Sequence, residues 1–291
     1  MTTLAEKIVL LTGASRGIGV FIALALVREN ATIIGVSRSP EELDQVSTQV
    51  KSLGGKWIGL PFDISQIKKL PFLVQQIEQV VGSVDILINN AGIELYRAFQ
   101  DYSTADIQLV LSTNLLAAME LSRLILPTFL RQGSGHIVNI ASLAAKKGLP
   151  YNSIYSASKA GLLMWSDSLR QELVGTGVEI SIICPGYVSQ QGMFVDSGVP
   201  APRLSGISAP VNVANAVVRA IKHNQAEIMV NQDLLTECLT RFLFVIGQFF
   251  PKFVDVVYRY IGVVDLNKTR VKNQKKSRLV RVYGFNFSDK Q

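Results

Sequence analysis

The chain has 291 residues, 48% apolar and 18% charged, which is the composition of a globular protein able to bury a sizeable core. Two cysteines, Cys184 and Cys238, exclude a disulfide framework or a cysteine metal site, and the short, mixed N-terminus is no signal peptide, so a reducing, cytoplasmic setting is expected. The net charge of +7 is lodged in residues 267–291, where eight bases (Lys268, Arg270, Lys272, Lys275, Lys276, Arg278, Arg281, Lys290) face one acid (Asp289), and the body is neutral.

In chain order, short apolar runs alternate with amphipathic ones. Strands are expected at 8–11, 32–36, 57–62, 84–88, 136–140, 178–184 and 227–230. Helices are expected at 19–29, 41–53, 104–130, 153–173 and 211–223, with segment 65–81 between the third and fourth strands. Strands this apolar are buried on both faces, and their alternation with helices predicts an α/β fold: a Rossmann-like, doubly wound parallel sheet with helices on both sides. Residues 1–231 form this domain, 232–266 an apolar helical extension, and 267–291 a basic tail.

The first strand runs into Thr12-Gly13-Ala14-Ser15-Arg16-Gly17-Ile18-Gly19. Glycines between a strand and a helix let the backbone approach a pyrophosphate, whose charge the helix N-terminus favours. The second strand ends Ser37-Arg38-Ser39 and carries no acid for a ribose 2′-hydroxyl. Arg38, helped by Arg16, suits a 2′-phosphate instead, so the expected cofactor is NADP(H). Tyr155 and Lys159 lie one helical turn apart. An ammonium beside a phenol favours phenolate and makes Tyr155 a proton donor and acceptor near neutral pH.

These stretches resemble the short-chain dehydrogenase/reductase family over roughly residues 5–231. Thr12–Gly19 is similar to its glycine loop and Asn89-Asn90-Ala91-Gly92 to its N-N-A-G stretch. Asn114, Ser142, Tyr155 and Lys159 fall where the family has its catalytic tetrad, and Pro185-Gly186 matches its nicotinamide loop. The resemblance implies that Tyr155 exchanges a proton with a carbonyl or hydroxyl oxygen while hydride moves to or from the nicotinamide. Ser142 would bind that oxygen, Lys159 would tune Tyr155 and hold the nicotinamide ribose, and Asn114 would hold a relay water. Asp63 and Ile64 would lie against adenine, Asn90, Ala91 and Gly92 along the adenosine ribose, and Val188 along the carboxamide. Gln190 stands where the family often has Thr, which puts one carboxamide contact in question.

His136 and His223 lack ligand-spaced partners and are expected at the surface or a strand edge, so no metal site is predicted. Residues 189–209, with Met193, Phe194, Val195, Val199 and Leu204, read as a mobile lid, and Leu143, Leu149 and Tyr151 add to an apolar pocket. Beyond 231, one apolar stripe runs through Leu235, Leu239, Phe242, Leu243, Ile246, Phe249 and Phe250. A second, past Pro251, runs through Phe253, Val256, Val257, Tyr260, Ile261 and Val264. The charge-free run 242–251 is too short to span a bilayer. The two stripes cover the cleft or a subunit interface, or residues 235–281 lie on the cytoplasmic face of a membrane.

The reading is an NADP(H)-dependent oxidoreductase of a lipophilic carbonyl or alcohol, without nucleic acid and as a homo-oligomer. A 3-oxoacyl reductase serving carrier-bound chains is the alternative enzyme. An NADP-binding scaffold and a membrane adaptor are the alternatives that are not enzymes.

Overall fold

A computed structural model of the chain describes residues 3–190 and 192–283, with side chains described through Lys275. Seven parallel strands make one sheet: β1 Ile8–Thr12, β2 Thr32–Ser37, β3 Lys56–Pro61, β4 Ile86–Asn89, β5 Gly135–Ile140, β6 Val178–Pro185 and β7 Glu227–Val230, in the order β3-β2-β1-β4-β5-β6-β7. The helices are α1 Ile18–Arg28, α2 Pro40–Ser52, α3 Leu70–Val81, α4 Thr104–Leu111, α5 Ala117–Gln132, α6 Ser153–Glu172, α7 Met193–Asp196, α8 Pro210–His223, α9 Leu234–Phe249, α10 Pro251–Tyr260 and α11 Val263–Tyr283.

The period of two along each strand explains the two cores. Val9 and Leu11 of β1 pack with α1, α2 and α8, whereas Leu10 between them packs with α3 and α5. Strand β5 divides likewise, Val138 and Ile140 to one layer and Ile137 to the other. A strand with both faces covered has no room for polar alternation, which is why these runs are continuously apolar.

His136 corrects an expectation. It is buried within β5, between β4 and β6, with Nε2 2.9 Å from Ser181 Oγ, and burial pushes its pKa down to about 4. A single buried hydroxyl partner made this imidazole a core residue.

The long helix expected at 104–130 is present but not uniform. Between α4 and α5 the residues Ser112–Leu116 form a π-helical turn that carries Asn114. By length and composition Thr104–Gln132 would cross a membrane, yet Ala117, Leu121, Ile125 and Phe129 pack into the second core. It is a core helix.

The connections leave β1 and β4 for opposite ends of the sheet, so a crevice opens above their adjacent C-terminal ends. Past β7 the chain rises over this crevice. Helices α9 and α10 carry the two stripes with a break at Pro251, and α11 crosses position 266 into the stretch read as a basic tail. Asn267 and Arg270 of that stretch are fully buried. The side chains of Lys276, Arg278, Arg281, Asp289 and Lys290 lie outside the described ones.

Candidate active site

One cleft of about 1130 Å³ runs from the glycine loop, past Tyr155, to the underside of α9 and α10. At the nucleotide end, Gly17 (φ 56°) caps α1 with no side-chain hydrogen bond, and no acid stands in the first turn. Gly17, Ile18 and Gly19 line the cleft, so the first amide groups of α1, which have no partner within the helix, are offered to it. The loop is braced from β4. Asn90 Nδ2 donates to the carbonyls of Thr12 (2.9 Å) and Gly13 (3.0 Å), and Thr12 Oγ1 accepts from the amides of Asn90 and Ala91, each at 3.1 Å. A Cβ on Gly13 (φ 65°) would come within 2.8 Å of Ala91 Cα, so glycine alone fits there.

Ser15, Arg16, Ser37, Arg38, Asp63, Ile64, Ala91 and Gly92 all line the same end. Arg38 is exposed, while Arg16 pairs with Asp196 of α7 at 2.9 Å. Asp63 Oδ1 accepts from the Ser65 amide at 3.0 Å, so it also caps its own turn. Sequence reading missed Glu42. This acid lies in the first turn of α2 rather than at the strand end, yet it lines the cleft and accepts from Ser15 Oγ at 2.6 Å. The Ser39 cap that fixes its place was visible in the sequence.

At the reaction end, Ser142, Tyr155 and Lys159 converge. Ser142 Oγ accepts from the Ala144 amide at 3.1 Å and hydrogen-bonds Tyr155. Burial pushes the Tyr155 phenol above its ordinary range, the charge of Glu94 adds to the rise, and the Ser142 hydroxyl opposes it. Lys159 Nζ donates to the Ile140 carbonyl at 2.7 Å and lies 5.9 Å from the centre of the Tyr155 ring. Burial lowers its pKa to about 8. The expected lowering of the Tyr155 pKa by Lys159 is therefore not the balance of this geometry, in which burial dominates.

Asn114 is buried and its side chain is fully engaged. Oδ1 accepts from the Ile93 amide at 2.8 Å, and Nδ2 donates to the Ile93 carbonyl (2.9 Å) and Ser158 Oγ (3.1 Å). It braces the segment after β4.

Pro185, Gly186, Tyr187 and Val188 line the cleft next to the lid. Gln190 is exposed at φ 69°, Ser189 Oγ donates to the Ser208 carbonyl at 3.2 Å, and neither lines the cleft. Of the lid residues, Met193, Phe194 and Leu204 line the cleft, Val199 is buried beside it and Val195 is exposed. Leu143 and Leu149 line it, and Tyr151 does not. The roof adds Leu243, Phe244, Ile246, Val257, Tyr258 and Ile261. Its fastening is Arg270, which donates to the lid carbonyls of Val199 (3.3 Å) and Pro200 (2.9 Å) and lies 5.5–5.8 Å from the rings of Tyr96, Tyr187 and Phe194. Among the described residues no cluster of His, Cys, Asp and Glu suits a metal ion.

Comparison with known proteins agrees with this geometry. Residues 7–197 match the family model described as short chain dehydrogenase. A ketoacyl reductase, HetN, of Nostoc sp. (strain PCC 7120) is 58% identical over 97% of this chain and 98% of that protein. An uncharacterized oxidoreductase of Staphylococcus aureus (strain MRSA252) is 32% identical over 79% of this chain and 99% of that one. Among solved structures, a metagenomic short-chain oxidoreductase in complex with NADP superposes with a TM-score of 0.69 at 28% identity, covering 80% of this chain and all of that one. The chain is an oxidoreductase of the short-chain dehydrogenase/reductase family.

Proposed function

We propose that this protein is an NADP(H)-dependent reductase of a carbonyl on a long apolar substrate, and that the substrate is a 3-oxoacyl chain. The observation that carries this reading is the single cleft, which joins an anion-binding loop, a buried Ser142–Tyr155–Lys159 group and an apolar roof. The 58% identity to a ketoacyl reductase over nearly the whole chain, roof included, supports the 3-oxoacyl class over a free ketone.

The residues fit the cofactor. The open amides of α1 suit the pyrophosphate, and Arg38 suits a 2′-phosphate. Bound NADPH supplies the hydride. Tyr155 gives its proton to the carbonyl oxygen as charge develops there, and the Ser142 hydroxyl stabilises that oxygen. A phenol raised by burial gives up its proton reluctantly, so the ammonium of Lys159 serves by stabilising the phenolate left behind. The side-chain amide of Asn114 is engaged by Ile93 and Ser158, so it serves by bracing the segment after β4 beside this group. The exposed faces of α9 and α10 rest on a membrane surface, where the acyl chain enters beneath the roof.

The test is NADPH oxidation over 3-oxoacyl thioesters and free long-chain ketones, with NADH in parallel. Tyr155→Phe is expected to lower turnover by about 10²- to 10⁴-fold while leaving nicotinamide binding intact. Faster turnover of free ketones would move the substrate to that class. Binding without any turnover would leave an NADP-binding scaffold, and no nicotinamide binding would overturn the reading.

A further inference from the structure

One carboxyl stands in the wall of the apolar half of the cleft. Glu94 follows Gly92 and Ile93 after β4 and lines the cleft with Ser142 and Tyr155. It is close enough to Tyr155 and Lys159 to act on the protonation of both. Its Oε1 accepts from the Tyr96 hydroxyl at 2.7 Å and from Nδ2 of the fully buried Asn152. Among the described residues nothing hydrogen-bonds Oε2. The roof holds the main chain on both sides of it, since the Tyr96 amide donates to Gln274 Oε1 at 2.8 Å and Gln274 Nε2 donates to the Glu94 carbonyl at 3.4 Å. An acid fixed so firmly, with one oxygen left open to the cleft, is built for a ligand.

We propose that Glu94 determines specificity: its open Oε2 hydrogen-bonds a second carbonyl of the substrate, the one two carbons from the reacting carbonyl. This rests on the 3-oxoacyl reading and deepens it. Burial holds the Glu94 carboxyl above its ordinary range, against the charges of Arg270 and Lys159 and the bonds from Tyr96 and Asn152. Because Oε1 already accepts two hydrogen bonds, a proton taken up by this carboxyl, which burial favours, sits on Oε2, where it is a donor. A 1,3-dicarbonyl satisfies it with the oxygen that does not react, while the reacting oxygen meets Ser142 and Tyr155. A simple ketone leaves this buried donor without a partner, and sites built that way reject the analogue that lacks the group.

The experiment compares a 3-oxoester with a mono-ketone of equal chain length. Binding to the NADPH-loaded protein is read from nicotinamide fluorescence and turnover from NADPH oxidation, for wild type, Glu94→Gln and Glu94→Leu. Wild type is expected to prefer the 3-oxoester. Glu94→Gln keeps the preference within a few-fold, because its amide oxygen still accepts from Tyr96 and Asn152 and its NH₂ replaces the O–H. Glu94→Leu lowers the ratio of 3-oxoester to mono-ketone by about 10- to 100-fold, whatever loss the two share. An unchanged ratio in Glu94→Leu, or a wild type without preference, overturns the proposal. Selective binding with no turnover of either compound would sink the reductase reading and leave the role of Glu94 standing.

Discussion

The sheet body and the roof are held by different forces. Every strand from β1 to β7 except the edge strand β3 is mostly buried, and two apolar layers fill the space between sheet and helices. Helix α9, by contrast, has no buried residue and α10 has only Val254. Polar contacts fasten the roof: Lys147 to Asp255 at 2.6 Å, Asn267 Nδ2 to the Pro150 carbonyl at 2.8 Å, Arg270 to the lid, and Lys275 to Asp101 at 2.9 Å. Apolar burial over a whole sheet makes a cooperative unit, whereas a few polar bonds make one that opens by itself. About a fifth of this chain has no counterpart in the Staphylococcus oxidoreductase, whereas the Nostoc ketoacyl reductase spans nearly all of it. The match to the family model likewise ends at residue 197, short of the roof.

The largest effect expected separates the two units by pH. His136 lies in the body with its pKa lowered from 6.5 to about 4 by burial. Between those values the unfolded chain binds a proton that the folded chain does not, so stability falls as the pH drops through that window. The loss is about 3 kcal/mol in all, and its slope ends near pH 4. Urea midpoints measured from pH 7 to pH 4 test it, with His136→Gln expected to flatten the slope. The same slope in both proteins would move the effect to other groups.

Arg270→Ala acts on the roof alone. It removes the guanidinium that donates to the carbonyls of Val199 and Pro200 and to Asn267 Oδ1 (2.6 Å). Charged hydrogen bonds of this kind are worth about 1.5–3 kcal/mol, so hydrogen exchange across the lid and α11 is expected to quicken by about 10- to 150-fold. The amides of β1, β4 and β5 are expected to keep their wild-type protection. Loss of protection in those strands as well would show that roof and body unfold as one.

The body and the two apolar helices of the roof were legible in the sequence, and the polar fastening of the roof was not. Strands buried on both faces leave continuous apolar runs, and a glycine loop against Asn90 leaves fixed residue types, because a Cβ at Gly13 meets backbone. Charge counting, however, treats every arginine as solvated. Arg270 is buried among Tyr96, Tyr187 and Phe194, three residues distant in sequence from it and, but for the last two, from each other. Glu94 was hidden in the same way, since its partner Asn152 lies 58 residues further along the chain. The pairing of Tyr155 with Lys159 was read from spacing, but the sign of the resulting shift depends on burial, which spacing does not contain.

The smallest effect expected tests the outer face of the roof. Phe249 ends α9 with 75% of its surface exposed and does not line the cleft. Phe249→Ser removes apolar surface that folding never covered, so unfolding free energy is expected to shift by less than about 0.5 kcal/mol. A phenyl ring that enters a lipid surface loses water contact there instead, and burying such a side chain is worth about 1.5–3 kcal/mol. Binding to anionic vesicles, read by co-flotation, is therefore expected to weaken by about tenfold or more. If stability falls by several kcal/mol instead, the helices of the roof are held together by apolar packing and the division between the two units is less sharp. If neither quantity moves, the face does not meet lipid through Phe249, and the polar fastenings of the roof remain its main connection to the body.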